Sequence, residues 1–168
     1  MQELRELVVE IPDFPKPGIL FRDISPLLRL RFHATVTAVD ALFSAREWET
    51  VEVVAGIESR GFILAAALAE RHRKGFVPIR TKGKLPPPVV DVAYDLEYGA
   101  GVLEMQRGGG RLLLVDDVLA TGGTLGASVA LARQAGYELL GMGVLLDLGL
   151  APGFSCGGFT VRSVLEYG

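Results

Sequence analysis

Two adjacent carboxylates, Asp116 and Asp117, close the apolar run Leu112-Leu113-Leu114-Val115 and are followed by Ala120-Thr121-Gly122-Gly123-Thr124. The apolar run reads as a buried parallel strand, and Leu125 to Gln134 has the pattern of a helix. In open α/β sheets, ligands gather outside the carboxyl ends of the strands. A Gly-Gly pair between threonines at a helix start exposes backbone N–H groups, which together with the helix dipole attract a phosphate. The arrangement suits a monophosphate on the loop and a hydroxylated sugar beside the acids. No lysine follows the glycines, so this is not the nucleotide-triphosphate loop G-x-x-x-x-G-K-[ST]. Nor do the acids trail the glycines by about 20 residues, as in a dinucleotide fingerprint. A plain helix cap at Thr121 or Thr124 would need neither the paired acids nor the paired glycines.

Other polar groups sit at comparable places. Glu58-Ser59-Arg60-Gly61 follows the strand pattern Val51 to Ile57. Its free N–H groups, hydroxyl and guanidinium suit a second polyanion, since arginine grips phosphate oxygens through two parallel hydrogen bonds. Arg80, Lys82 and Lys84 lie close together after the strand pattern Phe76 to Arg80. Taken alone they would be a solvated basic turn. Glu97, in a polar stretch, is by default a solvated charge. His33 and His72 have no partner pattern and read as exposed helix residues, and no group of side chains reads as a protein metal site.

These pieces together resemble the type I phosphoribosyltransferases, which bind 5-phosphoribosyl-1-pyrophosphate. In that family the segment Ala120, Thr121, Gly122, Gly123, Thr124 cradles the 5′-phosphate, and Asp116 and Asp117 contact the ribose hydroxyls. The turn at Ser59 and Arg60 binds pyrophosphate there, and its peptide is often cis. Three further segments are similar to those of the adenine phosphoribosyltransferases. Arg80-Thr81-Lys82-Gly83-Lys84-Leu85-Pro86 resembles their R-K-x-G-K-L-P, which implies pyrophosphate contacts from Arg80 and Lys84. Thr81 stands where lysine is usual. Asp95-Leu96-Glu97-Tyr98-Gly99 resembles S-L-E-Y-G, part of a mobile loop. The resemblance implies that Glu97 assists proton transfer at the purine and that Tyr98 contacts substrate. Pro12-Asp13-Phe14-Pro15 through Phe21-Arg22-Asp23-Ile24-Ser25-Pro26 resembles the segment that covers the purine. By that likeness the Leu20 backbone pairs with the adenine edge, Phe21 stacks on the ring and Arg22 approaches N7. Without it, the stretch reads as a proline-rich connector.

The resemblance implies a transfer of the phosphoribosyl group to adenine, giving AMP and pyrophosphate. Glu97, Arg60, Asp116 and Asp117 would be catalytic, Mg²⁺ would arrive on the pyrophosphate, and the chain would work as a homodimer. Hypoxanthine, guanine or xanthine transfer is the alternative within the class. A non-catalytic phosphoribosyl-pyrophosphate sensor is the alternative outside it.

The elements that must position these groups alternate strand and helix, the mark of a parallel sheet with crossover helices. The fold expected is the type I phosphoribosyltransferase fold: α/β, a central mainly parallel sheet flanked by helices, a small N-terminal hood over residues 1–30 and a flexible catalytic loop. One domain is expected over residues 1–168. Glu3 to Val9 is predicted as a first helix, and Phe32 to about Trp48 as a second. Phe62 to Arg71 reads as a buried helix, Val89 to Met105 as an extended hairpin or flap, and Leu139 to Leu146 and Thr160 to Leu165 as final strands. With 168 residues, 49% of them hydrophobic, the chain can bury a substantial core. A net charge of −3 without a basic cluster gives no support for nucleic-acid binding. The single cysteine, Cys156, and the lack of a signal-peptide pattern suggest a reducing, cytoplasmic setting. The longest uncharged apolar segment is far shorter than the roughly 20 residues that span a membrane, so no membrane partner is expected.

Overall fold

Period-2 burial explains the centre of the molecule. In the computed structural model, which describes residues 1–96 and 99–168, the strand Gly110–Leu119 (β7) sends alternate side chains into different cores. Leu113 and Val115 enter one apolar cluster, whereas Leu112 and Leu114 enter the other. Both faces of β7 are covered, which is why its sequence is continuously apolar.

Around it lies an eight-stranded sheet ordered β5-β6-β4-β3-β7-β8-β10-β9. The strands are Val53–Ile57 (β3), Gly75–Thr81 (β4), Val89–Leu96 (β5), Gly99–Gln106 (β6), Tyr137–Asp147 (β8), Ser155–Cys156 (β9) and Phe159–Glu166 (β10). From β4 to β10 the neighbours run parallel; β6 and β9 join antiparallel at the two sides. The predicted hairpin is therefore β5–β6, appended to β4 through Arg80↔Glu104 and Thr81↔Leu103.

Helices cover both faces. Ser25–Asp40 (α2) and Arg60–Arg71 (α4) bury Leu27, Val36, Val39, Leu64 and Leu68 in the cluster that holds Val115. Gly123–Ala135 (α5) buries Leu125, Val129, Leu131 and Ala132 in the other, beside Val90, Leu103 and Met105 of the hairpin.

The chain departs from its sequence-based reading in three places. The first helix is only Gln2–Arg5 (α1); Val9–Pro12 (β1) then pairs antiparallel with Leu20–Asp23 (β2). Local polar contacts build this hood, since Asp13 Oδ1 accepts from the Gly18 N–H at 2.7 Å, with Asp13 at φ +56° and Gly18 at φ +85°. Second, the helix expected to end near Trp48 is two helices. α2 starts earlier, with Pro26 in its first turn. Ala45–Thr50 (α3) then starts afresh behind a capping box formed by Ser44 and Glu47. Third, His72 is not an exposed helix residue. Its ring stacks on Trp48 (3.8 Å between centroids, 7° between planes), and Nε2 lies 2.6 Å from Asp40 Oδ1. His33 is exposed. Among the described residues, no helix is long and apolar enough to cross a membrane.

Candidate active site

The acids lie inside strand β7, which continues past them to Leu119. Helix α5 then begins from Gly122, at φ +89°, a left-handed conformation that glycine adopts freely. A side chain here would also collide with the Phe154 ring. No side chain caps α5, so its first N–H groups stay available to a ligand. Ala120 to Thr124 line a concavity of about 90 Å³ together with Asp116 and Leu125, the size of a small anion's seat.

Asp116 and Asp117 are only 6% and 5% exposed. Asp116 Oδ1 accepts from the Asp117 N–H at 2.9 Å. Arg60 Nη2 pairs with the buried Asp117 Oδ2 at 2.6 Å. Burial pushes Asp116 well above the usual carboxylate range, and the neighbouring Asp117 charge adds to this. Burial also raises Asp117, against the pull of Arg60. Close backbone approach makes the cluster possible: a Cβ on Gly61 would stand 2.5 Å from Asp116 Oδ1.

Beside the acids, Ser59 starts α4 and its hydroxyl makes no capping bond; the Glu58–Ser59 peptide is cis. Glu58 organises the basic residues. Its carboxylate accepts from Arg80 Nε at 3.2 Å, from the Thr81 N–H at 3.1 Å, from Thr81 Oγ1 at 3.3 Å and from Lys84 Nζ. Partial burial works to raise Glu58, but Lys84, the Thr81 N–H and Arg80 outweigh it and hold the carboxyl at about 2. Thr81, at the position where lysine was expected, thus serves the carboxylate. Lys82 turns away to Asp91 at 2.6 Å. A cavity of about 390 Å³ joins Glu58, Ser59, Arg60 and Thr81 to Asp116 and Asp117, with Tyr94 and Leu103 of the hairpin on its wall.

A larger cavity, about 570 Å³, opens on the other side of Arg60, between Gly18–Arg22 of the hood and Val118, Ala120, Leu148 and Leu150. Leu20, Phe21 and Arg22 all line it. Phe21 meets Phe14 edge-on at 5.1 Å and carries the Arg60 guanidinium 5.0 Å above its ring. Arg22 is tied to Glu10 at 3.0 Å and lies 4.2 Å over the Tyr167 ring, while its buried Nε has no hydrogen-bond partner among the described residues. Glu97 and Tyr98 lie outside the described residues. Sequence reasoning missed Glu58 as organiser, Gly61 as spacer and the contribution of Tyr167, Leu148 and Leu150. Only Glu58 and Gly61 carried a signal, being inside a motif already singled out.

Anion seat, buried acid pair and basic wall at the C-terminal ends of parallel strands define a phosphoribosyl-binding class of α/β protein. Residues 33–151 match the family model described as phosphoribosyl transferase domain. The chain is 51% identical to the adenine phosphoribosyltransferase of Hydrogenovibrio crunogenus, over 98% of this chain and 96% of that protein. It is 47% identical to that of Bdellovibrio bacteriovorus, over 98% and 99%. Among solved structures, adenine phosphoribosyltransferase from Rhodothermus marinus superposes with a TM-score of 0.86 at 40% identity, covering 98% of this chain and 97% of that one. The Saccharomyces cerevisiae enzyme, solved with an imino-altritol bisphosphate and adenine, gives a TM-score of 0.87 at 32% identity and 97% coverage of both chains. The chain belongs to the adenine phosphoribosyltransferase family within the phosphoribosyltransferases.

Proposed function

We propose that this chain transfers the phosphoribosyl group of 5-phosphoribosyl-1-pyrophosphate to adenine, forming AMP and pyrophosphate. The observation that carries this reading is that three concavities adjoin at the strand end just after the acid pair, all of them lined by Val118. One is a small anion seat, one is walled by Arg60 and Thr81, and one is large enough for a purine under Phe21.

In the reaction the bond from the ribose C1′ to pyrophosphate breaks, its electrons leaving with the pyrophosphate. A bond from adenine N9 to C1′ forms, and the N9 proton is lost. The loop 120–124 holds the 5′-phosphate, while Asp116 and Asp117, both on the cavity wall, accept from the ribose hydroxyls. The acid pair faces the positive charge that develops on the sugar. Ser59, Arg60, Arg80 and Lys84 receive the charge that develops on the leaving group, the electrostatic and positioning work that lowers such barriers. Among the described residues no group of three or more His, Cys, Asp or Glu gathers to hold a metal ion. By family likeness Mg²⁺ would enter with the substrate, where it would neutralise pyrophosphate charge. Glu97 and Tyr98, by family likeness, complete the site: Glu97 takes part in moving the purine proton and Tyr98 contacts the reactants.

Adenine is favoured over 6-oxopurines because a backbone carbonyl of the hood accepts from a 6-amino group but meets a 6-oxo group as a second acceptor. Leaving such groups unpaired costs roughly 1–3 kcal/mol. The chain acts as one domain, residues 1–168, with 1–30 as hood. A homodimer is supported by the exposed Ile63 and Phe76 on neighbouring elements, with Phe62 edge-on to Phe76 at 5.8 Å. A cytoplasmic setting is supported by the lone, unpaired Cys156. Incubation with adenine, phosphoribosyl pyrophosphate and Mg²⁺ should release one pyrophosphate for each AMP formed. Tight binding of phosphoribosyl pyrophosphate with no release would instead indicate a sensor.

A further inference from the structure

The turn that carries Lys84 is built around a second carboxylate. Glu104, on β6, is paired in register with Arg80 of β4 and with Asp91 of β5, and it is only 3% exposed. Its Oε1 accepts from the N–H of Lys84 and from that of Leu85, each at 2.6 Å. The nearby N–H of Gly83 does most to hold the carboxyl below its usual range. Two successive amides converging on one oxygen make an anion nest, here filled by the protein's own carboxylate. Bonds from amides to an ionised acceptor are short and about twice as strong as neutral ones. The side chain of Lys84 then starts from a fixed backbone and reaches Glu58, on the wall of the pyrophosphate cavity.

The same turn is sewn to the hairpin. The Lys82 N–H donates to Val102 O at 2.9 Å, Lys82 Nζ pairs with Asp91, and Gln106 Nε2 donates to Pro86 O at 3.2 Å. We propose that Glu104 is a positioning residue for the leaving group: it fixes the 83–85 turn so that Lys84 faces the Ser59–Arg60 turn, and it ties that turn to the β5–β6 hairpin. It touches no reactant and acts through Lys84. The inference rests on the reading of Lys84 as a pyrophosphate contact.

Steady-state kinetics of Glu104→Ala, Glu104→Gln, Lys84→Ala and the double variant Glu104→Ala/Lys84→Ala, with thermal midpoints, test it. Glu104→Ala should raise the KM for phosphoribosyl pyrophosphate about tenfold and leave the KM for adenine within about twofold. Glu104→Gln, which keeps an acceptor oxygen for the turn, should recover most of the loss. In the Lys84→Ala background, removal of Glu104 should add nothing further to that KM. Should Glu104→Ala not fold, Glu104→Asp, which withdraws the carboxylate from the turn, is read in its place with the same expectation. Effects that add in the double variant would overturn the proposal. So would a loss of kcat that merely follows the thermal midpoint while both KM values stay put. Lys84→Ala with an unchanged KM for phosphoribosyl pyrophosphate would instead overturn the pyrophosphate reading of Lys84 beneath it.

Discussion

Asp116 and Asp117 are kept at a thermodynamic disadvantage in the unliganded protein. Burial raises both, so the folded state holds protons that the unfolded chain gives up near the ordinary aspartate value of 3.8. The penalty is absent below that value, grows as pH rises toward the raised folded value, and persists above it. Asp116→Asn, which preserves the Oδ1 acceptor for the Asp117 N–H, should therefore raise the thermal midpoint of the ligand-free protein at pH 7. That gain should fade below about pH 4, as thermal scans across pH would show, and the variant should lose turnover. A lower midpoint at pH 7 would mean that the ionised acid contributes to folding. Glu97→Gln should cut kcat by about 10²-fold if the residue moves a proton; an unchanged kcat with chemistry limiting would remove it from that role. The sequence made the acids, the phosphate loop and Ser59-Arg60 legible because each is a local pattern of residue types. The carboxylates that hold the basic turn were not legible in the same way. Glu58 reaches Lys84 and Glu104 reaches back to Leu85 only after distant strands pair.

At the scale of elements, the strands and helices bearing the motifs were readable from apolar runs and helical spacing, as β3, β7, α4, α5 and β8 illustrate. The hood hairpin β1–β2 was hidden, since its strands are four residues each and partly exposed, and its pairing depends on a turn stabilised by Asp13. The break between α2 and α3 did carry a local signal, the Ser44-x-x-Glu47 box, that helical spacing alone overlooked. Glu47 also receives Arg162 Nη2 at 2.6 Å, which together with the Ser44 N–H holds its carboxyl down to about 2. A depressed carboxyl contributes stability in full above its unfolded value of 4.5 and loses it as pH falls toward 2. The pair is 41% and 33% exposed, so solvent screening limits it to about 1 kcal/mol or less. Arg162→Met should lower the thermal midpoint at pH 7 by a few degrees at most. A deficit that stayed constant down to pH 2 would place the effect in lost packing against Phe43, over which Arg162 lies at 5.1 Å.

Across the whole molecule, the two ends of the chain meet behind the purine cavity. Arg5 donates to Glu166 O at 2.8 Å, and both Arg5 and Arg22 lie over the Tyr167 ring, at 4.5 and 4.2 Å. The hood is thus fastened to the last strand, and Arg22 is held beside the purine cavity by residues from opposite ends of the sequence. On the proposed function, purine selection is a property of the assembled molecule, while phosphate and ribose binding belong to one strand–loop–helix unit. Initial rates with adenine and with hypoxanthine, at saturating phosphoribosyl pyrophosphate and Mg²⁺, test this division most directly. The expected result is efficient conversion of adenine to AMP and a kcat/KM for hypoxanthine lower by about tenfold or more, the consequence of roughly 1–3 kcal/mol of unpaired polar groups. A preference for hypoxanthine or guanine, or no release of pyrophosphate with any purine, would contradict it.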